Sequence, residues 1–147
     1  MNVRAMEPAD GPAYCALFQR VFARPPWKET WSLEEIARDL ENARAKSDFV
    51  GLAADDGSGA IGFAAGYRVG WLPVLYLEQL FVDDRCQGAG TGSALLSAML
   101  RRADGLVVLL TRPASSAEAF YVRRGFRRLA PLIRLRGKIV LFHTKHP

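Results

Sequence analysis

Hydrophobic residues in the first third of the chain recur at three- and four-residue intervals, which predicts two amphipathic helices. A short strand over residues 2–6 precedes the first helix, which starts near Asp10 and ends before Pro25, because proline denies the preceding residue helical geometry. A capping box at Ser32 and Glu35 opens the second helix. The predicted buried faces are Tyr14, Leu17, Phe18, Val21 and Phe22 in the first helix, and Leu33, Ile36, Ala37, Leu40 and Ala43 in the second.

Runs of apolar and β-branched residues farther along predict a sheet, with strands over residues 49–54, 61–69, 74–82 and 106–111. A glycine-rich loop and an amphipathic helix separate the last two strands. Such a strand–loop–helix–strand order predicts a parallel, right-handed crossover. A second capping box, Ser115 with Glu118, opens a helix that ends at Gly125, and residues 132–142 are expected to form a hairpin. These elements predict one α/β domain over residues 1–147 with a mixed sheet.

Composition narrows the class of protein. Half of the residues are hydrophobic and 24% are charged, as in an ordinary globular domain. The longest apolar runs, residues 72–77 and 106–110, are far too short for a membrane span, so we expect a cytoplasmic protein with no membrane association. Cys15 and Cys86 lack metal-ligand spacing, and His143 and His146 lack a third ligand, so no metal site is predicted.

The most informative segment follows the predicted strand at residues 74–82. Glycines occupy every second position at Gly88, Gly90 and Gly92, where a missing Cβ lets backbone amides approach an anion at a helix start. A Walker loop would need Lys-Ser or Lys-Thr after its last glycine, but Gly92 is followed by Ser93 and Ala94. A dinucleotide-binding fingerprint would need a different glycine spacing. The segment therefore predicts a phosphate-binding loop of another kind.

Arg85-x-x-Gly88-x-Gly90 resembles the acyl-CoA pyrophosphate loop of the GNAT superfamily of N-acetyltransferases. The later segment Ala117-x-x-x-Tyr121-x-x-x-Gly125-Phe126 resembles a helix of the same family, in the same order and at a similar separation. The resemblance implies a GNAT-like fold: a central, mostly antiparallel mixed sheet with one parallel pair around the helix after the loop. The family often has Asn at the position of Ala114, which leaves open a catalytically silent acyl-CoA-binding module.

The resemblance also implies that acetyl-CoA is the cosubstrate and that no metal is needed. Main-chain groups of residues 80–82 would pair with the pantetheine arm, and the loop would hold the pyrophosphate. The residues assigned to the cosubstrate are Leu80, Phe81, Val82, Arg85, Cys86, Gln87, Gly88, Ala89, Gly90, Thr91, Gly92, Ser116, Phe120 and Arg124.

Two side chains are candidates for catalysis. Glu78 interrupts an apolar strand, and burial raises the pKa of a carboxylate toward that of a general base. Strict alternation predicts that Glu78 shares a face with Tyr76, Leu80 and Val82, whereas Gln79 shares the other face with Leu77 and Phe81. A purely structural carboxylate is the alternative; in the family this strand often supplies the base, directly or through a water. The resemblance gives Tyr121 the role of proton donor to the departing CoA thiolate.

The acceptor is expected to be a primary amine of a small molecule or peptide, acetylated by direct attack. In the family the acceptor pocket lies between the first two helices and the middle strands, which assigns Trp27, Trp31, Tyr67 and Tyr76 to it. Glu29, Glu34 and Glu35 fall in the same region, and an aromatic and acidic lining suits a cationic amine.

The net charge of +5 is unevenly distributed, because the last third of the chain is strongly basic. This surface is either a solvated face or, through Arg101, Arg102, Arg123 and Arg124, a site for the 3′-phosphate of CoA. A nucleic-acid-binding domain is a weaker alternative, because aromatic residues are not interleaved with the arginines. Nothing in the sequence decides between a monomer and a homodimer.

Overall fold

The computed structural model describes residues 1–129 and 134–144, which form a sheet and four α-helices. The strands are β1 (Asn2–Ala5), β2 (Val50–Asp55), β3 (Ala60–Arg68), β4 (Val74–Val82), β5 (Leu106–Thr111), β6 (Arg127–Arg128), β7 (Arg134–Leu135) and β8 (Lys138–Thr144). The helices are α1 (Gly11–Ala23), α2 (Leu33–Arg44), α3 (Thr91–Arg102) and α4 (Ser116–Val122). None of the helices in this part of the chain is both long and apolar enough to span a bilayer.

The sheet confirms the predicted fold class. Its strand order is β1-β2-β3-β4-β5-β8-β6, and β7 also pairs with β8. The β4–β5 pair is parallel, as the crossover through α3 predicts, and the other strand pairs are antiparallel. The parallel pairing spans only Val74–Tyr76 against Leu106–Val108, although β4 continues to Val82. Within residues 1–129 and 134–144, the edge of β4 beyond Tyr76 therefore has no strand partner on the β5 side.

The two faces of the sheet bury separate cores. On one face, α1 and α2 cover an aromatic cluster in which the Tyr14 ring lies 5.2 Å from Phe63 and 5.0 Å from Phe81. On the other face, α3 packs Leu95, Leu96 and Met99 against the sheet. Phe81 thus belongs to the α1 side.

The predicted buried face of α2 is partly wrong. Ile36, Leu40 and Ala43 are buried, but Leu33 is 49% exposed and Ala37 is exposed as well. The physical reason is that α2 packs mainly against α1 and only lightly against β3. A narrow stripe of apolar residues on α2 is therefore enough to form this contact. Ser32 caps the helix as predicted, because its hydroxyl accepts a hydrogen bond of 3.0 Å from the Glu35 amide.

The predicted closing hairpin is confirmed where the structure describes it. Arg134 pairs with Ile139 and Leu135 pairs with Lys138, which leaves Arg136 and Gly137 as a two-residue turn. Both turn residues have positive φ, as a type I′ turn requires. Leu132 and Ile133, which were also expected in the hairpin, lie outside the described residues.

Candidate active site

The glycine loop forms an open cradle in front of α3. Gly88 and Gly90 have φ of 85° and 86°, a region that glycine adopts without the steric cost of a side chain, and Gly90 is the N-cap of α3. A Cβ at either position would meet no atom of the described structure within 4 Å. The N-terminal amides of a helix have no intrahelical partners. The cradle therefore offers free amide donors and open space, the arrangement that binds phosphate.

Gly92 has a different role from the two cradle glycines. A Cβ on Gly92 would lie 3.4 Å from the Phe120 ring, so the missing side chain lets α4 approach the first turn of α3. The two helices meet at the side of the cradle.

A cleft of about 750 Å³ runs from the cradle along the free edge of β4 to α4. All of the residues assigned to acetyl-CoA line it except Arg85 and Ala89. They are Leu80, Phe81, Val82, Cys86, Gln87, Gly88, Gly90, Thr91, Gly92, Ser116, Phe120 and Arg124. An elongated cosubstrate with an anionic end fits this shape, because the cradle would take the pyrophosphate and the unpaired edge of β4 would take the amides of the pantetheine arm.

Arg85 points away from the cleft. Its guanidinium donates to the carboxylate of Asp83 at 2.6 Å and 3.1 Å, and Asp83 is only 2% exposed. These hydrogen bonds, with a further one from Arg20, hold the pKa of the Asp83 carboxyl well below its ordinary value. Binding of the pyrophosphate by the Arg85 side chain stays a prediction.

Arg124 lies where the sequence prediction expects a cosubstrate contact. Its guanidinium stacks 3.8 Å from the centre of the Phe120 ring and donates to the Ser93 hydroxyl at 2.9 Å. Ser93 is in the first turn of α3, so a positive charge is held at the positive end of that helix. An anion in the cradle would relieve this repulsion.

The basic residues proposed for the 3′-phosphate separate into two groups. Arg123 and Arg124 line the cleft, and the Arg123 guanidinium forms no ion pair within 4.0 Å with a carboxylate of the described residues. Arg101 and Arg102 stand at the far end of α3 and do not line the cleft.

The loop between α1 and α2 covers part of the cleft. Of the loop residues that line the cleft, the sequence predicted only Trp27 as a site residue. Arg24, Pro25 and Pro26 line the cleft. Arg24 forms an ion pair with Asp84 at the start of the glycine loop. The consecutive acidic residues at 83 and 84 are the signal that could have indicated basic partners.

Arg112, just after β5, holds the other side of the same loop. It donates to the Pro26 carbonyl at 3.3 Å, lies 3.5 Å from the Glu29 carboxylate and stacks 5.2 Å from the Trp27 ring. The α1–α2 loop is thus bound at one side to the glycine loop and at the other to β5.

Tyr121 lies in the wall of the cleft on α4. Its side chain is buried, and desolvation raises the pKa of the phenol above its ordinary value. Its hydroxyl donates to no acceptor within residues 1–129 and 134–144, so the proton is available to a group in the cleft. Because its pKa is raised, the phenol stays protonated at neutral pH, as a proton donor must be.

The predicted side-chain alternation along β4 is wrong at Glu78. Gln79 pairs with Ala65 and Leu77 pairs with Gly66, so Glu78 is the extra residue of a β-bulge. The bulge reverses the alternation: Leu77 packs in the core beside α3, whereas Phe81 packs in the core beside α1. Leu77 and Phe81 are therefore on opposite faces, and Leu80 and Val82 pack toward the α3 side, away from the small pocket that Glu78 lines.

Glu78 is half-buried in a small pocket under α1 and α2. Desolvation raises the pKa of its carboxyl above the ordinary value, and the nearby Tyr67 hydroxyl and Lys46 ammonium oppose part of that rise. Asp39 faces the same pocket. The large cleft is not lined by Glu78, so the structure holds the two catalytic candidates, Glu78 and Tyr121, in neighbouring cavities.

The four aromatic residues assigned to the acceptor also separate. Trp27 lines the cleft, and Trp31 packs edge-on against Phe18 while its indole donates to Glu29 at 3.0 Å. Tyr67 and Tyr76 pack together at 5.5 Å near Glu78. Glu34 and Glu35 are exposed.

Ala114 has a φ of 56°, in the left-handed region where asparagine is enriched among non-glycine residues. Its amide donates to the buried Glu118 carboxylate at 2.8 Å. The Ser115 hydroxyl caps α4 and donates to the Arg112 carbonyl, so it does not face the cleft as Ser116 does.

No group of three or more His, Cys, Asp or Glu side chains in the described ranges is arranged to hold a metal ion.

Comparison with known proteins identifies the family of the chain. The sequence profile of the acetyltransferase (GNAT) family matches residues 15–126. No curated protein sequence matches the chain.

Solved structures share the fold at low sequence identity. The PaiA N-acetyltransferase of Thermoplasma acidophilum, solved with coenzyme A, superposes with a TM-score of 0.74 at 16% identity, over 97% of this chain and 98% of its own. The ribosomal-protein-S18-alanine N-acetyltransferase of Escherichia coli gives 0.74 at 21% identity, over 97% and 92%. An aminoglycoside 6′-acetyltransferase type Ii gives 0.80 at 16%, over 100% and 99%. With the profile match over most of its length, the chain belongs to the GNAT family of acetyltransferases.

Proposed function

We propose that the protein transfers an acetyl group from acetyl-CoA to a primary amine of a small molecule or peptide by direct attack. The observation that carries this proposal is the continuity of the cleft: it leads from the glycine cradle, along the unpaired edge of β4, to Tyr121. The glycine cradle, the unpaired edge of β4 and Tyr121 follow one another in the order in which CoA presents its pyrophosphate, pantetheine arm and sulfur.

The reaction needs two proton transfers. The amine nitrogen forms a bond to the thioester carbonyl carbon, the carbon–sulfur bond breaks, and the sulfur leaves as a thiolate. Glu78 is proposed to accept the amine proton, directly or through a water, because burial raises its pKa toward that of a useful base. Tyr121 is proposed to donate its proton to the thiolate, which stabilises charge that develops late in the reaction.

The fold neighbours include an aminoglycoside 6′-acetyltransferase and a ribosomal-protein-S18-alanine N-acetyltransferase. An amine panel for this protein should therefore contain aminosugars, peptide α-amines and alkylamines. Isothermal titration with CoA, followed by a free-thiol assay over that panel, tests the proposal. Thiol release above the hydrolysis background with at least one amine is expected.

Two other outcomes would contradict the proposal. CoA binding without turnover of any amine would favour a catalytically silent acyl-CoA-binding module. Salt-sensitive binding of random duplex DNA without CoA binding would favour the nucleic-acid alternative. A cytoplasmic location stays a prediction.

A further inference from the structure

A positively charged side chain of the protein itself lies beside the pocket of Glu78. Lys46, between α2 and β2, holds its ammonium 4.8 Å from the centre of the Tyr67 ring. The Tyr67 ring packs edge-on against Tyr76 at 5.5 Å. Burial raises the pKa of the Tyr67 hydroxyl, and the negative charge of the nearby Glu78 carboxylate raises it further. Aromatic rings next to a carboxylate attract cations, so an alkylammonium group already occupies a suitable site.

Lys46 is held there weakly. The residue is exposed, and among the described residues its ammonium forms no ion pair with a carboxylate within 4.0 Å. Its contact is the face of Tyr67, with longer-range attraction from Glu78. A single cation–π contact at an exposed site is easily exchanged for water or for another cation.

The site is next to the place where the sheet opens. Tyr76 is the last residue of β4 that pairs with β5, and Glu78 is the bulged residue two positions further on. A group bound between Tyr67, Tyr76 and Glu78 is therefore next to the residue at which the pairing of β4 with β5 ends, although none of the three residues lines the cleft itself.

We propose that Tyr67, Tyr76 and Glu78 bind the primary alkylammonium group of the acceptor, and that Lys46 is an internal occupant which the acceptor displaces. This inference rests on the proposed function and specifies the acceptor class: an unbranched alkylammonium, as on a lysine side chain or a diamine. An incoming alkylammonium replaces a chemically identical group, so the rings and the carboxylate keep a cation throughout. A neutral or anionic molecule of the same size lacks this compensation.

The inference is tested by equilibrium binding, which needs no turnover. The CoA-saturated protein is titrated with pentylammonium and with 1-pentanol, followed by NMR. The variant Lys46→Met keeps the length of the side chain and removes the competing charge. It should bind pentylammonium about two- to fivefold more tightly than the wild type, the range expected for loss of one competing cation–π contact, while pentanol affinity changes little.

Three further variants serve as controls. Lys46→Arg keeps a cation over the ring and should bind pentylammonium as the wild type does. Tyr67→Leu removes the ring and should weaken pentylammonium binding. Lys138→Met removes a lysine at the turn between β7 and β8 and should have no effect. The last variant separates a local effect from a change in net charge.

Equal pentylammonium affinity in the wild type and in Lys46→Met, or undiminished affinity in Tyr67→Leu, would overturn the inference. The thiol assay then decides the proposed function separately, because binding without thiol release would refute only the transfer reaction. Comparison of Nα-acetyl-lysine amide with 1,5-diaminopentane distinguishes a peptide side chain from a free diamine as the source of the alkylammonium.

Discussion

Arg20 in α1 donates a hydrogen bond of 2.8 Å to the buried carboxylate of Asp83, which follows the last residue of β4. Arg85 donates to the same carboxylate at 2.6 Å, and the Asp83 side chain accepts the Arg85 amide at 3.0 Å. One acidic residue thus joins α1 to the start of the glycine loop. This junction fixes the position of the glycine cradle relative to α1.

Replacement of Asp83 by Asn should lower the free energy of unfolding at pH 7 by about 1–3 kcal/mol, because buried hydrogen bonds to a charged acceptor are weakened. Urea unfolding would measure the loss. Asp104→Asn is the matched control: Asp104 pairs with Arg68 at 2.6 Å but is 65% exposed, so the loss there should be below about 1 kcal/mol. Equal losses in the two variants would mean that the Asp83 junction contributes no more than a surface ion pair.

The stability of the wild type and that of Asp83→Asn should depend differently on pH. The pKa of Asp83 is lower in the folded state than in the unfolded state, so its contribution is complete above about pH 4, the ordinary value for aspartate. That contribution is lost as pH falls from about 4 toward the lowered pKa. The stability difference between the wild type and Asp83→Asn should therefore shrink below pH 4. A difference that is constant down to pH 2 would contradict this assignment.

Replacement of Gly90 by Val should abolish CoA binding, because the new side chain would enter the open space of the cradle and would strain a backbone with φ of 86°. Isothermal titration would measure affinity, for which micromolar binding corresponds to about −8 kcal/mol. Gly57→Val controls for backbone strain, because Gly57 has φ of 95° and equally open surroundings in the β2–β3 turn. A folded Gly90→Val protein with unchanged CoA affinity would remove the cradle from the cosubstrate site.

Once an acceptor is known, Glu78→Gln should lower kcat/KM near neutral pH by about a hundredfold or more, which is the contribution expected of a general base. The carboxyl pKa is raised by burial, so wild-type activity should increase as pH rises through that pKa. The difference between wild type and variant should then narrow in more alkaline solution, which supplies the amine already deprotonated. A loss that does not depend on pH would favour a structural role for Glu78.

Tyr121→Phe should lower kcat and leave CoA affinity nearly unchanged, because the ring remains in the cleft wall while the proton donor is lost. Alkaline solution should not restore the rate, in contrast to Glu78→Gln. Steady-state kinetics with titration of CoA would separate the two effects. Wild-type rates in both variants would mean that the enzyme works by proximity alone.

Replacement of Ala114 by Asn or Gly should stabilise the protein by about 1 kcal/mol, because the left-handed conformation is costly for alanine. Both variants keep the amide that donates to Glu118. Thermal and urea unfolding would measure the gain. A lower stability in Ala114→Gly would show that the residue is not strained there.

Features that the sequence by itself determined are those that depend on neighbouring residues. The bounds of β4 and β5, the caps of α2 and α4 and the turn at Arg136 and Gly137 agree with prediction because strand propensity, capping and positive φ act over a few residues. The motif spacing was equally informative: all of the residues assigned to acetyl-CoA except Arg85 and Ala89 meet in one cleft. The loop follows β4 and α4 follows β5, and the carboxyl ends of two parallel strands point the same way.

Tertiary structure alone decided the remaining features, because they depend on pairings between distant residues. The bulge at Glu78 arises from the register of β4 against β3. It places Leu80 and Val82 on the α3 side, away from the pocket that Glu78 lines, whereas strict alternation predicted all three on one face. Arg85 donates to Asp83, a buried carboxylate that also accepts from Arg20 of α1, a residue 63 positions away in the chain. A β-bulge is defined by the pairing of two strands, so the alternation of side chains along one strand cannot predict it.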